Sequence, residues 1–412
     1  MIALVILSFL AHSSFASDFV GVRGTSFVRG GLPYHFVSAN FWGALHVAHA
    51  SPERLGRELD QLRAHGVRNL RVMAAFEGPS SAPWRMAPAV REAPLVFDED
   101  LLRGLDRLLV EAGKRDLTVV LVLGNFWPWS GGFAQLRSWA FPLLRIPYPP
   151  PAEGGDWAGY QSFSARFYSE PESIAHYERG VRAMVTRVNT VSGKAYRNDP
   201  TLFAWQLANE PRGDRNETDF NRWISSSARL VKALDSNHLL SVGTEGETAD
   251  PRSAGLDVLR NHASKNIDYM TAHLWVQNWG IYDPSHADKT FPPAVAFMKR
   301  YLARHEELAR RLGKPWVLEE FGIARDGGSY RVESSTTERD RFFGAVLSEA
   351  HKLSSLQGVG FWAWSGEGRP REPGGHWRKG DAVLGDPPHE AQGWYGVYDR
   401  DLSTLKTLGT RF

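Results

Sequence analysis

Short apolar runs rich in β-branched and aromatic residues alternate along this chain with longer stretches whose apolar positions recur every three or four residues. The runs at 36–41, 69–74, 118–123, 202–207, 239–242, 269–274, Trp316–Phe321 and 359–364 predict strands. Helices are predicted between most of them, at 51–66, 98–115, 172–189, 218–234, 292–312 and 337–353. In 98–115, Leu101, Leu102, Leu105, Leu108 and Leu109 share one face. Ser51-Pro52-Glu53 supplies an N-cap, a proline for the first turn and an acid for the helix dipole. Gly313 followed by Pro315 is a stop signal. Strands alternating with helices argue for an α/β protein, a single (β/α)₈ TIM barrel with a parallel sheet. Ahead of the first barrel strand, the turn Arg29-Gly30-Gly31-Leu32-Pro33 predicts an N-terminal β-hairpin. Two Gly/Pro-rich stretches, one running to about Glu170 and one at 365–392, predict long βα loops beyond strands three and eight. A short helix is expected near Ser403.

Two strands end in carboxylates. The run 202–207 leads into Asn209-Glu210-Pro211, where Pro211 is expected to hold Glu210 in an extended backbone at the strand's C-terminal lip. Trp316–Phe321 carries Glu319 and Glu320. At the C-terminal mouth of a parallel barrel, paired carboxylates suit acetal hydrolysis, one as a proton donor and one as nucleophile or base. The bland alternative for a loop Glu is a solvated acid. Strand alternation lets only one of Glu319 and Glu320 face the axis. Position before Phe321-Gly322 favours Glu320, with Glu319 as the alternative. Glu245, Glu247, Asp283 and Glu367 also lie near strand ends and are expected to be solvated.

Composition narrows the class. The 412 residues include 48 Lys plus Arg against 46 Asp plus Glu, so nothing recommends nucleic acid or an anionic membrane as partner. There is no Cys, which excludes disulfides, thiolate metal sites and Cys nucleophiles. The His residues show no His-x-x-x-His spacing and no glycine-rich phosphate loop occurs, so neither metal nor cofactor is expected. The 15 Trp suggest a groove of flat apolar faces for stacking on sugar rings. The apolar run 2–10 followed by Ser14-Phe15-Ala16 predicts a signal peptide, 1–16, ahead of one catalytic domain, 17–412, and hence a secreted product without a membrane anchor.

The Asn209-Glu210-Pro211 and Glu320-Phe321-Gly322 pair resembles the catalytic strands of glycoside hydrolase family 5. Phe27 to Phe36 with Asn40-Phe41-Trp42, Asn125 to Gly132, Phe361-Trp362-Ala363-Trp364 and Gly385 to Glu390 with Gly393-Trp394-Tyr395 are similar to its β-mannanases. The resemblance implies a monomeric retaining endo-β-1,4-mannanase acting on mannan, glucomannan or galactomannan. Alternatives are another β-glycanase, an exo-β-mannosidase, or a carbohydrate-binding protein without catalysis. It also implies Glu210 as acid/base and Glu320 as nucleophile. Asn209 then meets the sugar 2-hydroxyl, Arg71 keeps the nucleophile ionised, His273 lies near the active site, and Trp362 is the platform under the sugar at the cleavage point. Trp127 and Trp129 are expected to bind substrate. So is Trp275, which stands where the family often has a Tyr on the nucleophile. For Arg71 a barrel-end salt bridge, and for His273 a structural role, are the alternatives.

Overall fold

In a computed structural model, residues 19–409 are described; the predicted signal peptide lies outside them. Eight parallel strands run in chain order: β1 (Phe36–Asn40), β2 (Val67–Met73), β3 (Thr118–Val122), β4 (Leu202–Gln206), β5 (Leu239–Ser241), β6 (Met270–Leu274), β7 (Trp316–Phe321) and β8 (Leu356–Phe361). Their spatial order, β5-β4-β3-β2-β1-β8-β7-β6, is that of a (β/α)₈ barrel. The seam between β5 and β6 is bridged by Asp268 N to Leu240 O at 2.8 Å and His273 N to Glu245 O at 2.9 Å.

Each strand is followed by a helix: α1 (Pro52–Ala64), α2 (Glu99–Gly113), α3 (Pro171–Val185), α4 (Glu217–Leu234), α5 (Val258–His262), α6 (Ala287–Leu312), α7 (Thr337–Ala350) and α8 (Leu402–Leu408). Their starts and stops follow local chemistry. Asp98 caps α2 by accepting from Asp100 N and Leu101 N, and Gly313 closes α6 in the left-handed region at φ 65°. The predicted leucine face of α2 is buried. Fully burying a Leu is worth roughly 1.5–3 kcal/mol, so this face is a large part of what docks the helix. At the barrel's N-terminal end the predicted hairpin is a three-stranded antiparallel unit (Val20–Arg23, Ser26–Arg29, Leu32–Pro33). Its Phe27 packs edge-on against Phe203 at 5.1 Å and Tyr269 at 5.4 Å, plugging that end with aromatic rings.

The structure departs from the sequence pattern in three places. The stretch after β3 is not a bare loop. It contains helices Gly132–Ala140 and Trp157–Ala165, held because Phe133 stacks on Phe167 at 4.3 Å and meets Trp223 at 5.3 Å. α6 begins at Ala287, ahead of Pro292 and Pro293, which lie inside it, and Phe291 beside them packs against Tyr282 and Phe342. β8 ends at Phe361 rather than at residue 364; Trp364–Gly366 turns off to pair with Val397–Tyr398.

Candidate active site

The C-terminal mouth of the barrel opens into a cavity of about 640 Å³. Glu210 and Glu320 both line it, with Asn209, Trp127, Trp129, Trp275 and Trp362. Arg71 and His273 do not reach the cavity wall. They lie beneath it, buried, and touch the carboxylates from below.

Backbone geometry delivers Glu210 in an unexpected way. It is not extended before Pro211 but sits at φ 48°, a left-handed conformation that costs a non-glycine residue about 1–3 kcal/mol. Neighbouring strands hold it there. Asn209 N donates to Gly124 O and Glu210 N to Gly243 O, each at 2.9 Å. A Cβ at residue 243 would lie 1.9 Å from Ala208 O, so only glycine permits that approach.

β7 carries a second departure. The pairing with β6 steps from Leu318 to Glu320 opposite Ala272 and His273, and the pairing with β8 also slips between Leu318 and Phe321. This bulge inserts one residue, and a bulge re-aims side chains. Glu319 and Glu320 therefore both turn into the barrel, contrary to simple alternation. A Cβ at residue 360 would meet Glu319 O at 2.3 Å, so a glycine on β8 makes room for the bulged carbonyl. The nitrogen of Asn40 caps that carbonyl at 2.8 Å.

The charged groups form one network. Arg71 bonds Glu320 through Nη1, Gln206 through Nε and Nη2, and Asn209 Oδ1 through Nη2 at 2.7 Å. His273 Nδ1 lies 2.6 Å from Glu210 Oε1 and 3.3 Å from Glu320 Oε2. Trp127 Nε1 donates to Glu210 Oε2 at 2.5 Å, and Trp275 Nε1 approaches Oε1 at 3.4 Å. Trp275 thus attends Glu210 rather than Glu320, whose orientation falls to Arg71 and His273. One oxygen of each carboxylate and a ring nitrogen of His273 lie within 4.8 Å of one another. Such a trio could ligate a metal on distance alone, but the Arg71 cation already neutralises Glu320 there.

Protons are distributed differently from what a resting acid at Glu210 would require. Burial pushes its carboxyl up, but the hydrogen bond and charge of His273, with Arg212 and Trp127, outweigh this and bring it down to about 2. Burial pushes Glu320 up to about 7, against the pull of His273 and Arg71, with the negative Glu210 adding to the rise. Burial lowers His273, yet Glu320, Glu210 and Glu319 hold it up at about 10. The first proton that the trio takes up therefore rests on His273.

Other wall residues were missed or misjudged. Glu245 is 2% exposed rather than solvated, and Arg212 clamps both its oxygens at 2.6 and 2.7 Å. Arg212 also lies over the Trp127 ring at 4.9 Å. Glu390 and His389, Trp157 and Trp394 complete the wall from the long loops. Glu390 Oε2 is buried without a partner among the described residues; burial and the charges of Asp386, Glu210 and Glu320 push its carboxyl well up. Of these residues, His389, Glu390 and Trp394 lay inside motifs visible in the sequence, while Glu245 was visible only as an acid near a strand end. Seven of the 15 Trp line this cavity, whereas Trp205, Trp223, Trp316 and Trp364 are fully buried structural residues.

Known proteins share this architecture. A family model described as glycoside hydrolase family 5, β-mannosidase-like, matches residues 17–409. Mannan endo-1,4-beta-mannosidase 1 of Solanum lycopersicum is 30% identical over 83% of this chain and 81% of its own. The crystal structure of a glycoside hydrolase family 5 mannosidase from Rhizomucor miehei superposes with a TM-score of 0.88 at 35% identity, covering 96% of this chain and 97% of that one. The endo-1,4-beta-mannanase of the same fungus shares the fold at a TM-score of 0.70 and 20% identity. With its paired carboxylates at the mouth of a (β/α)₈ barrel, the chain belongs to the β-mannosidase-like branch of glycoside hydrolase family 5.

Proposed function

We propose that this enzyme hydrolyses β-1,4-mannosidic bonds with retention of configuration, acting within mannan, glucomannan or galactomannan chains. The observation that carries the retaining mechanism is the approach of Glu210 and Glu320, whose nearest oxygens lie within 4.8 Å. Retaining pairs stand about 5–5.5 Å apart, and inverting pairs about 6.5–9.5 Å to admit a water. Glu320, ionised beside Arg71, attacks the anomeric carbon while the bond to the glycosidic oxygen breaks and Glu210 gives that oxygen its proton. Water then attacks the anomeric carbon, Glu210 takes a proton from it, the ester bond breaks, and Glu320 leaves as carboxylate. In the second half the negative charge of Glu320 is tied up in the ester, which favours Glu210 as a base. Asn209, held by Arg71 and Asn125, is poised for the sugar 2-hydroxyl, where bonds tighten in the transition state.

Trp362 lies in the cavity wall, edge-on to Trp275 at 6.0 Å, and we assign it the sugar platform. Trp362→Ala should lose roughly 1–3 kcal/mol of transition-state binding, read as kcat/KM. An unchanged kcat/KM in a folded variant removes it from the site.

Two observations favour a second reading, release of mannose from chain ends. The Rhizomucor mannosidase matches over nearly the full length of both chains, and the long loops bring His389 and Glu390 over the mouth. Mannohexaose decides: internal cleavage gives mannobiose to mannotetraose from the first minutes, and exo action gives mannose with mannopentaose. No cleavage of mannohexaose beside turnover of cellohexaose would overturn both readings.

We also read residues 1–16 as a cleaved export signal. Among the described residues no helix is long and apolar enough to cross a membrane. N-terminal sequencing of the processed protein should begin at Ser17, and an intact Met1 would contradict this.

A further inference from the structure

The bulge in β7 leaves an acid that the mechanism above does not use. Glu319 is 3% exposed and enclosed by the barrel, directly beneath the catalytic trio. Gln206 Nε2 donates to both its oxygens at 2.8 Å. Arg71 Nε lies 3.7 Å and His273 Nε2 3.6 Å from its Oε2. That His273 nitrogen is buried and has no hydrogen-bond partner among the described residues, while Nδ1 on the other side of the ring meets Glu210. At 3.6 Å a hydrogen bond is lost, but the attraction between opposite charges in a buried site is not.

The chemistry of an imidazole between two carboxylates makes this placement matter. A neutral ring with a lone pair on Nδ1 would take the proton from Glu210 and disable it as an acid. An imidazolium carries an N–H on both nitrogens and can only donate, so the next proton to enter the trio must land on a carboxylate. We infer that Glu319 is a positioning residue that acts through His273, its negative charge holding the ring as imidazolium and so governing how Glu210 receives and gives up its proton.

The surrounding charges agree with this. His273 faces Glu210 from the end of β4, Glu245 from beyond β5, and Glu319 and Glu320 from β7. The fixed cations among them are Arg71 on β2 and Arg212 beyond β4. Four acids against two arginines leave room for a third positive charge, and His273 lies within 3.6 Å of three of the acids. Glu319 also faces Tyr269 and the neutral His262, neither of which supplies that charge.

The inference rests on the acid/base reading of Glu210, and two substrates separate the two claims. Mannotriose needs its leaving group protonated; 2,4-dinitrophenyl β-mannoside does not. Glu319→Gln keeps the side chain's size and removes its charge. It should shift the basic limb of kcat/KM for mannotriose to lower pH by about one unit, a drop of about tenfold above that limb. For the dinitrophenyl mannoside, kcat/KM should stay within about threefold of the parent. Equal losses on both substrates, or an unmoved pH profile, overturn the inference. Should Glu319→Gln not fold, ¹⁵N-histidine spectra of the parent enzyme test the same claim. Both ring nitrogens of His273, assigned by their loss in His273→Asn, should be protonated at pH 8, and one bare nitrogen at that pH overturns it. Failure of the underlying reading looks different: Glu210→Ala would then lose both substrates equally, whatever Glu319→Gln does.

Discussion

Glu320→Ala should abolish turnover of every mannoside, activated or not, by about 10⁴-fold or more, because removing a nucleophile stops the first chemical step. The variant should still fold. Arg71 would lose its contact with Glu320 but keep bonds to Gln206, Asn40 and Asn209, with Glu319 only 3.7 Å away, so the buried cation is not left alone. Azide offers a second readout. It fits the space the carboxylate vacates, attacks the dinitrophenyl mannoside from that face, and should give the α-mannosyl azide. Near-normal turnover of mannotriose in a folded Glu320→Ala would end the assignment.

Glu210→Ala should behave in the opposite way. On mannotriose it should lose about 10²–10⁴-fold, the usual value of a positioned general acid. With dinitrophenyl mannoside the glycosyl-enzyme should still form and accumulate, because no proton is needed for departure but the base for water is missing. Azide, which needs no base, should then release it as the β-mannosyl azide, the opposite anomer to that from Glu320→Ala. The pH dependence follows from the same trio. His273 already holds one proton, and the second leaves as the Glu320 site titrates near 7. These groups are coupled, so the step belongs to the trio rather than to one residue. Only the doubly protonated trio can place a proton on Glu210 with Glu320 ionised. In the parent enzyme, kcat/KM for mannotriose should therefore fall as pH rises through about 7. Retention of full mannotriose activity by Glu210→Ala, or an α-azide product from it, would refute its role.

The elements that local pattern can express were readable from the chain. β-branched runs marked the strands, the leucine face and Asp98 marked α2, and carboxylates at two strand ends marked Glu210 and Glu320. What escaped the sequence depends on neighbours far along the chain. The bulge that turns Glu319 inward exists because Gly360 on β8 lets its carbonyl approach, and Asn40 on β1 caps it. Glu210 adopts its left-handed backbone because Gly124 and Gly243 on either side supply acceptors. Glu245 is buried rather than solvated because Arg212 reaches it from the adjacent strand end. The helices inside the β3 loop are held by an aromatic cluster rather than by their own pattern: of Trp157–Ala165 only Tyr160, Ser164 and Ala165 are buried, and Phe167 and Trp223 come from elsewhere. Even the roles of the Trp residues divide by tertiary position, Trp127 and Trp362 on the cavity and Trp205 and Trp316 in the core.

The central claim is that Glu320 becomes covalently bound to the sugar. Incubating the enzyme with 2,4-dinitrophenyl 2-deoxy-2-fluoro-β-mannoside slows the release of the intermediate, and peptide mass spectrometry then locates the added fluoromannosyl group. The mass should fall on Glu320 in the peptide spanning Trp316 to Gly322, one sugar per chain. A label on Glu319 instead, or none while the enzyme still turns over mannotriose, would contradict the account.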